Sequence, residues 1–282
     1  MPFKFSVKLI FMQTLSESDY GSIININYSK GNQTMQNIHL EPLGNGISVY
    51  VTDSYRFSTD TILLANFSEP KGKKKCAELG TGCATIPLLW CRHNKSLDIT
   101  AVEIQSEACM LAQKSVDFNN LNDNINILNA DLKELGGKVE FGSFELVVCN
   151  PPYKISGGGI TNQHSAKLIA RHETQCTLDD ICKSASKLLQ FGGKFCICQR
   201  PERLADVMES MRSFGIEPKV LRMVQQRVAK APKLFLLEGR RGGKRGFLSV
   251  LPTLFIEDEN GNYSQEMIDI YGSYKNSVEP KG

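Results

Sequence analysis

Phe144-Glu145-Leu146-Val147-Val148-Cys149-Asn150-Pro151-Pro152-Tyr153 is the stretch whose reading decides the fold. Leu146 to Cys149 is a short apolar, β-branched run, which predicts a buried strand. Two prolines stop it, because proline has no N–H to give to a central strand. Asn150 therefore stands at the C-terminal end of a strand, with a stiff turn and an aromatic ring behind it. In a parallel α/β sheet, ligands bind along that edge.

Working upstream, Cys76-Ala77-Glu78-Leu79 predicts another strand, which opens into Gly80-Thr81-Gly82-Cys83-Ala84 and then an apolar helix. Gly80 and Gly82 allow the backbone to approach a ligand closely, and N–H groups at a helix start favour a carboxylate. No third glycine completes a dinucleotide fingerprint. Leu97 to Val102 is a strand ending at Glu103, some twenty residues past the glycines, where an acid can accept both hydroxyls of a ribose. A helix is expected over 106–118. Ile125 to Leu128 predicts a third strand, followed by Asp131.

Asn-Pro-Pro-Tyr resembles the signature of class I, S-adenosylmethionine-dependent methyltransferases acting on a planar nitrogen, and Glu-x-Gly-x-Gly resembles motif I of the same enzymes. The chemistry accounts for the residue types. A planar amine has a delocalised lone pair and is a poor nucleophile. The Asn150 oxygen and the Pro151 carbonyl can accept its two N–H bonds, favouring a more tetrahedral nitrogen. Pro152 helps to fix that carbonyl, and Tyr153 offers a face for a flipped-out base. The resemblance implies S-adenosylmethionine along Asp60, Glu78, Gly80, Thr81, Gly82, Glu103, Asp131 and Asn150, with Asp131 at the adenine-contacting position. Each acid alone is an ordinary strand-end residue; their order is what carries the reading.

The lead-in, Tyr55-Arg56-Phe57-Ser58-Thr59-Asp60, and Ala170-Arg171-His172-Glu173 narrow the resemblance to the tRNA1(Val) adenine-37 N6-methyltransferase family. Asp60 reads equally well as a helix cap, as does Thr59. Arg171 and His172 are assigned a structural or RNA-contacting role, since methyl transfer to an amine needs no general base. Two other enzyme classes share features with the chain: release-factor glutamine methyltransferases and ribosomal-RNA N-methyltransferases. The first normally carries a helical domain before motif I, and the second often a duplicated domain. A non-catalytic, cofactor-binding RNA chaperone is the reading from another class.

The expected fold is α/β, a seven-stranded, mostly parallel class I methyltransferase sheet with helices on both faces. The chain divides into an uncharacterised extension (1–37), a hairpin and helix (38–75), the methyltransferase core (76–256) and a polar tail (257–282). Asn45-Gly46 marks the hairpin turn. One hypothesis is that Met35 is the true start and the first 34 residues are an upstream extension; translation from Met1 is the alternative. Gly157-Gly158-Gly159 predicts a flexible loop at the mouth of the site.

Net charge is only +3, yet nine basic residues lie between Lys219 and Arg245 against one acid, Glu238. Arg240, Arg241, Lys244 and Arg245 are expected to hold RNA phosphates from a loop at the ligand-binding edge. A solvated hairpin tip is the alternative. Nine scattered cysteines with no Cys-x-x-Cys pair fit reduced thiols and no metal site. With no segment approaching the roughly 20 apolar residues of a membrane span, a cytoplasmic protein with a tRNA substrate is expected.

Overall fold

A computed structural model describes residues 37–72, 74–151 and 176–272. Pro152, Tyr153, the 157–159 glycines, Arg171, His172 and residues 1–36 lie outside the described residues. The chain opens with an antiparallel hairpin, β1 (His39–Gly44) and β2 (Ile47–Val51), turning at Asn45-Gly46 with positive φ at both. Helix α1 (Thr59–Phe67) follows, its N-cap at Ser58 rather than at Thr59 or Asp60.

The core then alternates strand and helix. It comprises β3 (Lys75–Leu79), α2 (Thr85–Cys91), β4 (Asp98–Glu103), α3 (Ser106–Phe118), β5 (Ile125–Asn129), β6 (Phe144–Cys149), α4 (Leu178–Leu188), β7 (Leu189–Gln199) and α5 (Leu204–Ser213). Three strands close it: β8 (Ile216–Gln225), β9 (Pro232–Arg241) and β10 (Ser249–Phe255), before a last helix, α6 (Gln265–Tyr271). Helix α4 starts at a reciprocal cap in which Thr177 and Asp180 each accept the other's backbone N–H.

The sheet order is β10-β8-β9-β7-β6-β3-β4-β5, with β9 antiparallel to both its neighbours and every other pair parallel. Eight strands stand where seven were expected. β10 adds itself outside β8, because the chain crosses the start of β8 after leaving β9 and then runs parallel to it.

Both faces of the central strands β3, β4 and β6 are buried, which is why these strands are largely apolar rather than alternating. One face packs Cys76, Ile99, Val148, Cys196 and Cys198 against the hairpin, α1 and α2; the other packs Leu79, Val147, Phe195 and Ile197 against α4 and α5. Cys196 and Cys198 are core residues on one side of β7, as their spacing predicts. Trp90 on α2 is almost fully buried and donates its indole N–H to the Ala65 carbonyl of α1 at 3.0 Å. Arg92 ties three elements together, donating to the carbonyls of Leu43 (3.0 Å), Tyr271 (3.3 Å) and Ile270 (3.4 Å). The lead-in and the tail helix are thereby fastened to the core face that ends at Asn150.

Among the described residues, no helix is long and apolar enough to cross a membrane.

Candidate active site

Parallel β3, β4, β5, β6 and β7 all point their C-terminal ends the same way, so their terminal residues converge on one edge. A cavity of about 310 Å³ lies there, lined by Gly80, Gly82, Glu103, Ile104, Gln105, Ala130, Asp131, Leu132, Asn150, Pro151 and Gln199 among others. Five of the residues expected to bind cofactor therefore share one cavity: Gly80, Gly82, Glu103, Asp131 and Asn150. Pro151 joins them from the catalytic set.

The glycine loop owes its shape to left-handed backbone. Gly80 and Gly82 have φ of +74° and +57°, a region that glycine enters without steric penalty. Nothing lies within 4 Å of where a Cβ would stand at either, so open space faces the backbone. The expected carboxylate at the helix start is supplied by the protein itself. Glu103 accepts the Gly82 N–H at 2.9 Å through Oε2, and the Gln105 N–H at 2.9 Å through Oε1. Each carboxylate oxygen can take a further bond. Glu103 therefore staples the glycine loop to the end of β4 while lining the cavity.

Glu78 and Thr81 sit behind this loop and do not line the cavity. The Glu78 carboxyl is 2% exposed and receives the Thr81 hydroxyl. Burial pushes its pKa well above the usual carboxylate range, opposed by the Thr81 bond and helped by Glu103 nearby. With the native pKa raised, the folded state holds a proton that the unfolded chain releases near pH 4.5. Stability therefore falls as pH climbs from that value through the native pKa. Glu78→Gln removes the penalty, and at pH 8 its thermal midpoint should exceed wild type by ~2–4 °C, about 1 kcal/mol for a chain of this size. The difference should vanish at pH 4, as thermal unfolding monitored by circular dichroism at the two pH values will check.

Asp131 accepts the Lys133 backbone N–H at 2.9 Å and faces that lysine's ammonium at 3.5 Å. Asp60 lies in the first turn of α1 and is not among the cavity residues. Thr61, one position on, is the residue of that helix that reaches the site: its Oγ1 accepts the Asn150 side-chain N–H at 3.1 Å. The Asn150 oxygen accepts the Cys198 thiol, also at 3.1 Å. Tyr55 donates its hydroxyl to Gln105 Oε1 at 2.8 Å, and burial pushes its pKa up to about 12. Motif reading missed Thr61, Gln105, Cys198 and Gln199, because each gains its place from tertiary packing.

The basic loop is corrected. β9 is antiparallel to β7, pairing Phe235 with Gln199 at the cavity edge and Arg240 with Lys194 deep along the strand. Five to six residues of strand at about 3.4 Å each carry Arg240 and Arg241 roughly 17–20 Å from that point, towards the opposite edge. There the Arg241 guanidinium donates to the Leu189 carbonyl, and Arg240 donates to Gly192 O at 3.3 Å. Lys219 donates to the carbonyls of Lys244 and Gly246, fixing the same loop. Lys244 and Arg245 share that far position. Exposed cations at the cavity edge include Lys133, after β5, Arg200, after β7, and Lys230, Lys233 and Arg227 (the last paired with Glu257) around the β8–β9 turn.

The arrangement fits S-adenosylmethionine. Glycine backbone permits close approach, Glu103 and Asp131 present acceptors, and Ile104, Ala130 and Leu132 line the wall between them. Among the described residues, no group of three or more His, Cys, Asp or Glu is placed to hold a metal ion.

Comparison with known proteins agrees. Residues 48–214 match the model of the methyltransferase small domain. The tRNA1(Val) (adenine(37)-N6)-methyltransferase of Tolumonas auensis is 24% identical over 64% of this chain and 75% of its own length. The protein of that name from Escherichia coli O157:H7 is 27% identical over 64% of this chain and 74% of its own. The one from Parabacteroides distasonis is 24% identical over 76% and 88%. Among solved structures, a predicted O-methyltransferase from Agrobacterium tumefaciens superposes with a TM-score of 0.63 at 18% identity, covering 77% of this chain and 97% of that one, a likeness of fold alone. With the family model spanning more than half of its residues, and its motifs converging on one cavity, this chain belongs to the methyltransferase small-domain family, as an S-adenosylmethionine-dependent enzyme.

Proposed function

We propose that the chain methylates the exocyclic N6 of an adenine in tRNA, namely adenosine 37 of a valine tRNA. The observation that carries this reading is the placement of Asn150 and Pro151. They end the strand beside the glycine strand and share its cavity, so an amine held by the Asn150 oxygen and the Pro151 carbonyl would stand next to the cofactor. When bound, S-adenosylmethionine supplies an electrophilic methyl on a sulfonium. The protein's part is to hold the amine in line and to accept its N–H bonds as the nitrogen becomes tetrahedral. The proton leaves once the methylated nitrogen is acidic, so no strong base is required. Pro152 and Tyr153 complete the motif in this proposal, with Tyr153 as the stacking face. The names of the relatives support adenine over the other planar nitrogens, and the cations around the β8–β9 turn suit a polyanionic substrate. Arg171 and His172 remain in the proposal as RNA contacts.

The test is methyl transfer from labelled S-adenosylmethionine to total tRNA, followed by nucleoside mass spectrometry. N6-methyladenosine at position 37 of a valine tRNA is the expected product. Label confined to protein would replace this reading by glutamine methylation, and label in ribosomal RNA by a ribosomal substrate.

A further inference from the structure

A side-chain amide can face its target in two ways that differ by a half-turn, and only one of them offers an acceptor to an amine. Asn150 follows β6, and two other elements bear on the choice. Thr61, in the first turn of α1, accepts the Asn150 Nδ2–H at 3.1 Å through Oγ1. The same oxygen accepts the Ser58 backbone N–H at 3.4 Å, the return bond of the helix cap. Thr61 Oγ1 thus receives the Ser58 and Asn150 N–H bonds together, with its own proton turned away from both. From the neighbouring strand, the thiol of Cys198 donates to Asn150 Oδ1 at 3.1 Å. Nitrogen towards α1 and oxygen towards β7 gives both partners a bond; the flipped amide would instead set its NH2 against sulfur, a weak acceptor.

We propose that Thr61 is a positioning residue for methyl transfer, which orients the Asn150 amide so that its oxygen, not its nitrogen, meets the target amine, with Cys198 holding that oxygen from the other side. This rests on the reading of Asn150 as the acceptor of the target's N–H. A thiol suits the second role because S–H is a weak donor, which an incoming amine N–H can join or displace at little cost. Thr61 lies outside the cavity wall, so its loss acts on the amide and not on cofactor contacts. The lead-in helix is thereby a working part of the site, although it precedes the cofactor-binding core in the chain.

The experiment compares the full chain with Thr61→Val, Thr61→Ser and Asn150→Ala, measuring kcat and KM on a transcribed valine tRNA and S-adenosylmethionine affinity by calorimetry. Thr61→Val is expected to lower kcat by about tenfold or more, with both KM values and the cofactor affinity within about twofold of wild type. Thr61→Ser, which keeps the acceptor, is expected to restore kcat. Should Thr61→Val fail to fold, Thr61→Ala removes the same hydroxyl and gains helix propensity. Wild-type kcat in the Val or Ala variant, alongside a loss in Asn150→Ala, overturns the positioning role and leaves the Asn150 reading standing. A serine variant as slow as valine also overturns it. Undiminished turnover in Asn150→Ala overturns the reading and the proposal together.

Discussion

Asn150→Ala is expected to cut methylation at saturating S-adenosylmethionine by about a hundred- to a thousandfold, the usual effect of deleting one preorganised polar contact to a reacting group. Cofactor affinity should fall far less than the rate, because the glycine loop, Glu103 and Asp131 are untouched and Asn150 is one of several residues lining the cavity. The loss falls on kcat because the contact strengthens as the target nitrogen becomes tetrahedral; a contact equally strong in the ground state would appear in KM instead. Alanine also leaves the Thr61 oxygen and the Cys198 thiol without their shared partner. Cys198 is fully buried, so losing this partner should cost the fold about 1–3 kcal/mol. Single-turnover rates on tRNA, with calorimetric cofactor binding in parallel, will separate the two effects. A variant that still turned over normally would remove Asn150 from the chemistry.

Glu103→Gln is expected to have the second largest effect, on binding rather than on rate. The carboxylate spans two backbone donors, Gly82 N–H and Gln105 N–H, at 2.9 Å each, and is 5% exposed. An amide must set its NH2 against one of these N–H groups. One bond is lost, a buried donor is left unsatisfied, and the glycine loop is released from β4. S-adenosylmethionine affinity should weaken by about a hundredfold, or ~2.8 kcal/mol at 1.4 kcal/mol per tenfold. Stability without cofactor should fall by about 1–3 kcal/mol. Calorimetry and thermal unfolding, with and without the cofactor, will measure both. Unchanged affinity would confine Glu103 to holding the loop.

The sequence was most informative where chemistry is local. Val147-Val148-Cys149 running into Pro151 announces a strand and its end, because proline acts through its own backbone. Asn45-Gly46 likewise declares its turn, and Gly80 and Gly82 their left-handed loop. Strand ends bearing Glu103, Asp131 and Asn150 could be ordered along the chain, and parallel connection then brings them to one cavity. What was not legible depends on partners far away in the chain. Thr61 meets Asn150 across 89 residues, and no spacing rule links them. Attention fell on Asp60, an acid in the right neighbourhood, while the neutral hydroxyl beside it reaches the site. The basic run shows the same limit. Its charge could be counted, but the edge it occupies follows from the antiparallel β9, which only the folded sheet reveals.

The burial of Trp90 has an optical consequence. It is the chain's sole tryptophan, and its indole is bonded to the α1 carbonyl of Ala65, one helical turn from Thr61. Its fluorescence is accordingly a built-in gauge of whether the lead-in helix is seated, blue-shifted when docked and red-shifted once water reaches the ring. Emission read during turnover would report the posture of the very helix that sets the Asn150 amide, without any label being introduced.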